Sequence, residues 1–159
     1  MREIKGDIWD FHREGYWIVI PTNGFVKKNG ECVMGRGLAW QAKQRYPNLP
    51  RLLGEKILLY GNSLFTFPEY HLITFPVKRV WWEKADLTLI DKSANILHEM
   101  FFHYGVAYIH HINTPVFLPW VGCGNGGLDK KNVKPILEKY LDDRFMIVDN
   151  SYPERVRFS

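Results

Sequence analysis

"LPWVGCGNGGLD", residues 118–129, places four glycines in the six positions 122–127, behind an apolar run and ahead of a helix-like segment. A plain connector has no use for this. Each glycine costs backbone entropy on folding, so the cluster implies a close backbone approach or positive φ. A strand, a glycine-rich loop and a helix start in succession form a cradle for phosphate oxygens.

A second glycine loop, "VMGRGLA" (33–39), stands in the same context. It follows the strand-like "YWIVIP" (16–21) and the turn-rich "TNGFVKKNGE" (22–31), and it leads into the helix-forming "LAWQAKQRY" (38–46), which stops at Pro47. Two such loops on one sheet edge suit a diphosphate better than a single phosphate. A structural tight turn is the competing reading of each. The spacing differs from the six-residue dinucleotide fingerprint, and the Gly-Lys-Ser/Thr ending of a P-loop is absent.

"REIKGDIW" (2–9), the short segments of 56–77, "TPVFLPWV" (114–121) and "RFMIVDN" (144–150) read as strands. Asp86 is placed to cap a helix running to Tyr104, with Gly105 as its stop and Ile90, Ala94, Leu97, Phe101 and Tyr104 as its buried stripe. "VKPILEKYL" (133–141) reads as another helix, with Asn132 as cap so that Pro135 falls in the first turn. Segment 106–113 has no clear assignment. Strands alternating with helices imply an α/β sheet covered on both faces, with ligands bound beyond the carboxyl ends of the strands.

The 159 residues suit one domain with one sizeable core. With 46% hydrophobic and 24% charged residues, the composition argues against disorder. Aromatics reach 15%, which serves either a richly packed core or exposed rings that stack on a base or a partner. A net charge of +4 favours anionic partners mildly. The start lacks the apolar core of a signal peptide, and no apolar run approaches membrane-spanning length, so the expectation is a cytoplasmic protein with no membrane partner. Cys32 and Cys123, the only cysteines, provide neither a disulfide framework nor a four-cysteine zinc site. His110-His111 would point to opposite faces of a strand, so no metal site is expected.

The chain resembles the macro domains, which bind ADP-ribose. The resemblance rests on "GDI" (6–8), "TN" (22–23), "VMGRGLA" followed by "YP" (46–47), and "LPWVGCGNGGLD", in that order. The branch it looks most like is that of the DNA ADP-ribose glycohydrolase antitoxins and the terminal ADP-ribose glycohydrolases, which carry a lysine after a strand similar to "ITFPVKRVWW" (73–82). The resemblance implies a three-layer α/β/α fold with a mixed central sheet spanning 1–159, and no cofactor. It implies that Asp7 accepts from the adenine amino group, with the Ile8 N–H beside it; the alternative is a turn-capping aspartate. Thr22 and Asn23 would lie at the distal ribose, against simple turn chemistry. Met34, Gly35, Arg36 and Gly37 would face one phosphate. Gly122, Cys123, Gly124, Asn125 and Gly126 would surround the other, with Cys123 needed for its small size and not for thiol chemistry.

Three departures stand out. Family members commonly have a further asparagine where this chain reads "VIPT" (19–22). "KKNGE" (27–31) looks like an insertion, with a lid over the ribose as one guess. Asn125-Gly126 stand where a terminal glycohydrolase of the family has a leucine followed by an acid that its mechanism needs.

By the same resemblance, Lys78 and Asn23 are the catalytic candidates. An amine at the anomeric carbon attacks an opened sugar to form an imine only when unprotonated. The alternative is that Lys78 and Arg79 are ordinary surface charges. Trp81 and Trp82 would stack a single-stranded base with Arg79 and Lys84 on its backbone, or else buttress the sheet. The expected activity is a hydrolase that removes ADP-ribose from a nucleic-acid base in preference to a protein. A non-catalytic ADP-ribose reader and an ADP-ribose 1″-phosphate phosphatase are the alternatives. The antitoxin branch further implies a cognate toxin as partner.

Overall fold

The computed structural model describes residues 1–102 and 110–150. Its six strands are β1 (Arg2–Lys5), β2 (Ile18–Asn23), β3 (Phe65–Phe67), β4 (Leu72–Lys78), β5 (Val116–Leu118) and β6 (Phe145–Asp149). They form one sheet in the order β1-β6-β5-β2-β4-β3. Every neighbouring pair is parallel except β3–β4. The helices are α1 (Ile8–Arg13), α2 (Gly37–Arg45), α3 (Leu49–Tyr60), α4 (Leu87–Phe102) and α5 (Lys130–Tyr140).

Side-chain alternation along the strands divides the apolar residues between two cores. Trp17, Val19, Ile73, Phe75 and Val77 pack with Ile90, Ala94 and Leu97 of α4 and with Val133 and Leu137 of α5. Ile18, Ile20 and Leu72 face the other way, toward Ile8 and Trp9 of α1, Ala42 of α2 and Leu49, Leu53 and Ile57 of α3. The result is the expected three-layer α/β/α arrangement on a mixed sheet.

Several local expectations are corrected. The first strand stops at Lys5, and the apolar pair Ile8-Trp9 belongs to α1, whose N-cap is Asp7. Residues 56–60 are helical. The stripe Leu49, Leu53, Ile57 has helical spacing, but the apolar "KILLY" conceals it because Leu58, Leu59 and Tyr60 face solvent. Helix α5 begins at Lys130 under an Asp129 cap, so Asn132 is no cap and Pro135 lies inside the helix. Only Val116–Leu118 of 114–121 is strand. His110 and His111 sit in a turn, His111 at φ 51°.

Asp86 does cap α4, its Oδ1 accepting from the Thr88 N–H at 2.8 Å, and Ile90, Ala94 and Leu97 are buried on that helix. Tyr104, Gly105 and residues 106–109 lie outside the described residues.

The 27–31 segment is a turn closed by the Val26–Cys32 bridge and by the Lys27 N–H donating to the Glu31 carbonyl at 2.8 Å. Its base is fastened to α3, since the Cys32 N–H donates to the Pro50 carbonyl at 2.9 Å. At Gly54 of α3 a Cβ would stand 1.9 Å from the Gly30 carbonyl oxygen, so only glycine lets the turn rest there. A segment seated in this way is scaffold for the loop that follows, and the lid reading does not fit it. Gly54→Ala is therefore expected to destabilise the fold by about 1–3 kcal/mol, the usual cost of overpacking, read as a lowered urea midpoint. An unchanged midpoint would mean that the turn is not seated on α3.

Candidate functional site

Strands β2 and β5 are parallel neighbours, with Ile18 opposite Phe117, and β2 pairs with β4 on its other side. Their carboxyl ends therefore deliver residues 24–36, 79–86 and 119–129 to one edge of the sheet. A cavity of about 970 Å³ lies between these loops. Lys27, Arg36, Lys78 and Lys84 line it with a single acid, Glu83, among the described residues. Glu83 is paired with Arg79 at 2.9 Å, so the field inside favours an anion.

Loop one, the first glycine loop in chain order (33–39), ends in a helix start that no side chain closes. Helices α1, α4 and α5 are capped by Asp7, Asp86 and Asp129. At α2 the N-cap is Arg36, in extended conformation and without a side-chain cap bond. The first-turn amides of a helix have no partner within it and carry its positive pole. In α2 they open on the cavity, which Gly35, Arg36, Gly37, Leu38 and Ala39 line. Met34 also lines it but is buried at 2% exposure.

Loop two, the glycine loop after β5 (122–128), is a succession of turns. The Leu128 N–H donates to the Gly122 carbonyl at 2.9 Å, and the Gly127 N–H donates to the Gly124 carbonyl at 3.1 Å. Gly122 has φ +77°, and a Cβ on Gly126 would lie 2.4 Å from the Gly122 oxygen, so both positions require glycine for the turn itself. Gly124 is different: a Cβ there would meet nothing within 4 Å, and it borders the cavity. Among the described residues, the amides of Gly124, Asn125 and Gly126 make no backbone hydrogen bond. The two loops touch, since a Cβ on Gly37 would come within 2.9 Å of Asn125 Nδ2.

One expectation changes here. The start of α5 is already occupied by Asp129, so the donors of loop two are its turn amides and not the helix pole. Cys123 is half-buried, lies off the cavity lining, and has its thiol pKa raised by burial. Burial pushes Cys32 up to about 12. Neither sulfur is a thiolate near neutral pH.

Asn23, at 7% exposure, ends β2 on the cavity wall. Its Oδ1 accepts from the Phe25 N–H and its Nδ2 donates to the Val33 carbonyl, both at 2.9 Å. The carboxamide thus ties the strand end to the start of the glycine loop. Thr22 is buried within β2 and does not reach the cavity. Asn23 and Lys78 are register partners across β2–β4. Lys78 lines the cavity, and its Nζ donates to the Trp81 carbonyl at 3.1 Å. Burial, with the Arg36 guanidinium second, holds its ammonium below the ordinary lysine pKa.

Asp7 and Ile8 lie on the same sheet edge, at the end of β1 and outside the cavity lining. Asp7 Oδ1 accepts from the Trp9 N–H at 2.9 Å, which is the capping role weighed from the sequence. A carboxylate has a second oxygen to offer. Lys27 of the 27–31 segment lines the cavity, as do Phe25 and Trp120, which were not singled out from the sequence. Trp120 lies within the opening stretch, and Phe25 follows Asn23-Gly24, so proximity to the glycine loops was the available signal. Among the described residues, no three His, Cys, Asp or Glu side chains are grouped to hold a metal, and no helix is long and apolar enough to cross a membrane.

No protein-family model matches the sequence. A DNA ADP-ribosyl glycohydrolase of Mycobacterium bovis is 32% identical over 113 residues, covering 64% of this chain and 30% of the relative. The chain thus spans less than a third of that protein's length. The macrodomain of Mycobacterium tuberculosis DarG superposes with a TM-score of 0.66 and 26% identity, covering 85% of this chain and 88% of that one. Thermosipho africanus DarTG, solved in complex with ADP-ribose, gives a TM-score of 0.72 at 19% identity, over 100% of this chain and 45% of that one. With the sheet order and the paired glycine loops described above, these likenesses show that the chain has a macrodomain fold, similar to that of the DarG proteins.

Proposed function

We propose that the chain binds ADP-ribose along the carboxyl edge of its sheet and hydrolyses its bond to a nucleic-acid base. The observation that carries this reading is the order of groups along that edge. Reading the strands β1, β6, β5, β2, β4 gives Asp7, then the open amides of loop two, then Asn23, then Lys78. That is the order adenine, diphosphate, distal ribose and anomeric carbon in ADP-ribose. Asp7 and Asn23 stand three strand spacings apart, about 14 Å, a span suited to a molecule with a diphosphate between two nucleoside-sized ends. The uncapped pole of α2 and the amides of Gly124, Asn125 and Gly126 serve the diphosphate from two sides.

Lys78 supplies the chemistry. Its neutral amine adds to C1″ of the opened distal ribose, and the acceptor nitrogen leaves with a proton. Water then hydrolyses the imine, freeing ADP-ribose and regenerating the amine. A lowered ammonium pKa raises the fraction of amine able to attack. Relatives named for glycohydrolysis of ADP-ribosylated DNA support a base as the acceptor. The resemblance to the antitoxin branch supports a toxin as partner. One observation favours a reader without turnover: Asn125-Gly126 of loop two put no acid where a terminal glycohydrolase of the family has one.

Two experiments test this reading. Gly124→Val projects into open space, so stability should move by no more than about 0.5 kcal/mol, as at an unconstrained surface position. ADP-ribose affinity should fall roughly 10-fold or more, the worth of one charged hydrogen bond; unchanged calorimetric affinity would refute the cradle. The second uses single-stranded DNA carrying ADP-ribose on thymine, with release followed by mass spectrometry. Wild type should release it, and Lys78→Ala should bind ADP-ribose but release none. Release should rise with pH through an inflection below the ordinary lysine value. Arg36→Gln, which removes a neighbouring positive charge, should move that inflection upward. Binding without release by wild type would leave the reader.

A further inference from the structure

The β4–α4 loop carries Trp81 and Trp82 side by side, 50% and 60% exposed, on the wall of the cavity that holds Lys78. Burying an indole contributes so much to folding that two adjacent open ones call for a partner. They are held firmly in place. Trp81 meets Trp82 edge-to-face at 5.3 Å, and Trp82 meets Phe25 in the same way at 5.4 Å, leaving half or more of each tryptophan accessible. The backbone beneath is pinned at both ends, the Arg79 carbonyl accepting from the Gly24 N–H at 3.0 Å and the Ala85 N–H donating to the Gly126 carbonyl at 2.8 Å. The Trp81 carbonyl accepts from Lys78 Nζ, so these rings begin within one hydrogen bond of the reacting amine.

The surrounding charge selects the kind of partner. Lys27 and Lys84 are exposed on the same cavity wall, Lys27 in an exposed ion pair with Glu31 at 3.5 Å, and the one acid lining the cavity, Glu83, is neutralised by Arg79. Exposed aromatic faces interleaved with cations fit a single-stranded nucleic acid, whose bases offer π-faces and whose backbone offers phosphates. A duplex keeps its base faces stacked inside and does not fit. We infer that Trp81 and Trp82, buttressed by Phe25, form a stacking platform for the nucleotide flanking the ADP-ribosylated base of a single strand, with Lys27 and Lys84 facing its phosphates. This deepens the proposed function and rests on its nucleic-acid acceptor. It assigns the loop after Lys78 the selection of strand over free nucleoside.

The test compares wild type with two paired variants, Trp81→Ala/Trp82→Ala and Trp81→Phe/Trp82→Phe, each checked for folding by circular dichroism. Fluorescence anisotropy with labelled, unmodified oligothymidylate reads the platform directly. The alanine pair should bind roughly 10-fold or more weakly, as expected for lost base–aromatic stacking. The phenylalanine pair, which keeps π-faces, should recover most of the affinity, and the same sequence as a duplex should bind wild type less well. In release assays the alanine pair should raise KM for an ADP-ribosylated oligonucleotide far more than KM for ADP-ribosylated thymidine. Equal strand affinity of wild type and the alanine pair, or equal KM changes for the two substrates, would overturn the platform. A wild type that binds the strand but not ADP-ribose would overturn the proposed function and leave the platform supported.

Discussion

Strand β2 is hydrogen-bonded on both sides, to β5 and β4, and buried on both faces, with Ile18, Val19 and Ile20 fully inaccessible. A strand so enclosed has one permitted register, because a slip of one residue would exchange its two hydrophobic faces. That constraint sets the site. It fixes Asn23 at the end of β2 beside Lys78 at the end of β4, and it brings the loop after β5 alongside the loop after β2. Since all three strands run parallel, their carboxyl ends and the loops they feed share one edge.

On that edge the chain divides its glycines between two purposes. Gly37, Gly122 and Gly126 are needed by the fold, either for left-handed backbone or for contacts too close for a Cβ. Gly124 is not, and its freedom from any structural need is the reason to assign it to a ligand. Aspartates close the starts of α1, α4 and α5; α3, which has a proline in its first turn, and α2 have no side-chain cap, and of these two it is α2 that opens on the cavity. Open amides facing Arg36, Lys78 and Lys84 make a site that favours an anion. Burial, with the Arg36 charge second, holds the Lys78 ammonium below its ordinary pKa. In the proposed mechanism, binding and activation thus draw on one set of neighbouring groups.

Much of this was legible in the sequence, because loop chemistry is local. "VMGRGLA" and "LPWVGCGNGGLD" stand out by composition alone, and their placement after strands implies a shared edge. The apolar stripe and Asp86 cap of α4 were equally local. Other features were hidden for physical reasons. Helix α3 buries only one stripe and ends in three exposed apolar residues, so its periodicity is masked. Asp7 caps α1 through one oxygen, and the proposed second role, accepting from a base, depends on which oxygen is free, about which spacing says nothing. Asn23 reads as turn chemistry or as ligand chemistry; its bonds to Phe25 and Val33 make the turn role visible only in three dimensions. The seating of the 27–31 turn on Gly54 joins segments more than twenty residues apart.

The central claim is that backbone amides of two loops hold the diphosphate together. Amide-resolved NMR during titration with ADP-ribose addresses it most directly. The account predicts the largest shifts, downfield as hydrogen bonds form to phosphate, at Gly124, Asn125 and Gly126 and at the first-turn amides of α2, Gly37 to Ala39. ADP should reproduce most of them and ribose alone should not. Shifts confined to other parts of the sheet edge, or a response to ribose equal to that with ADP-ribose, would contradict it.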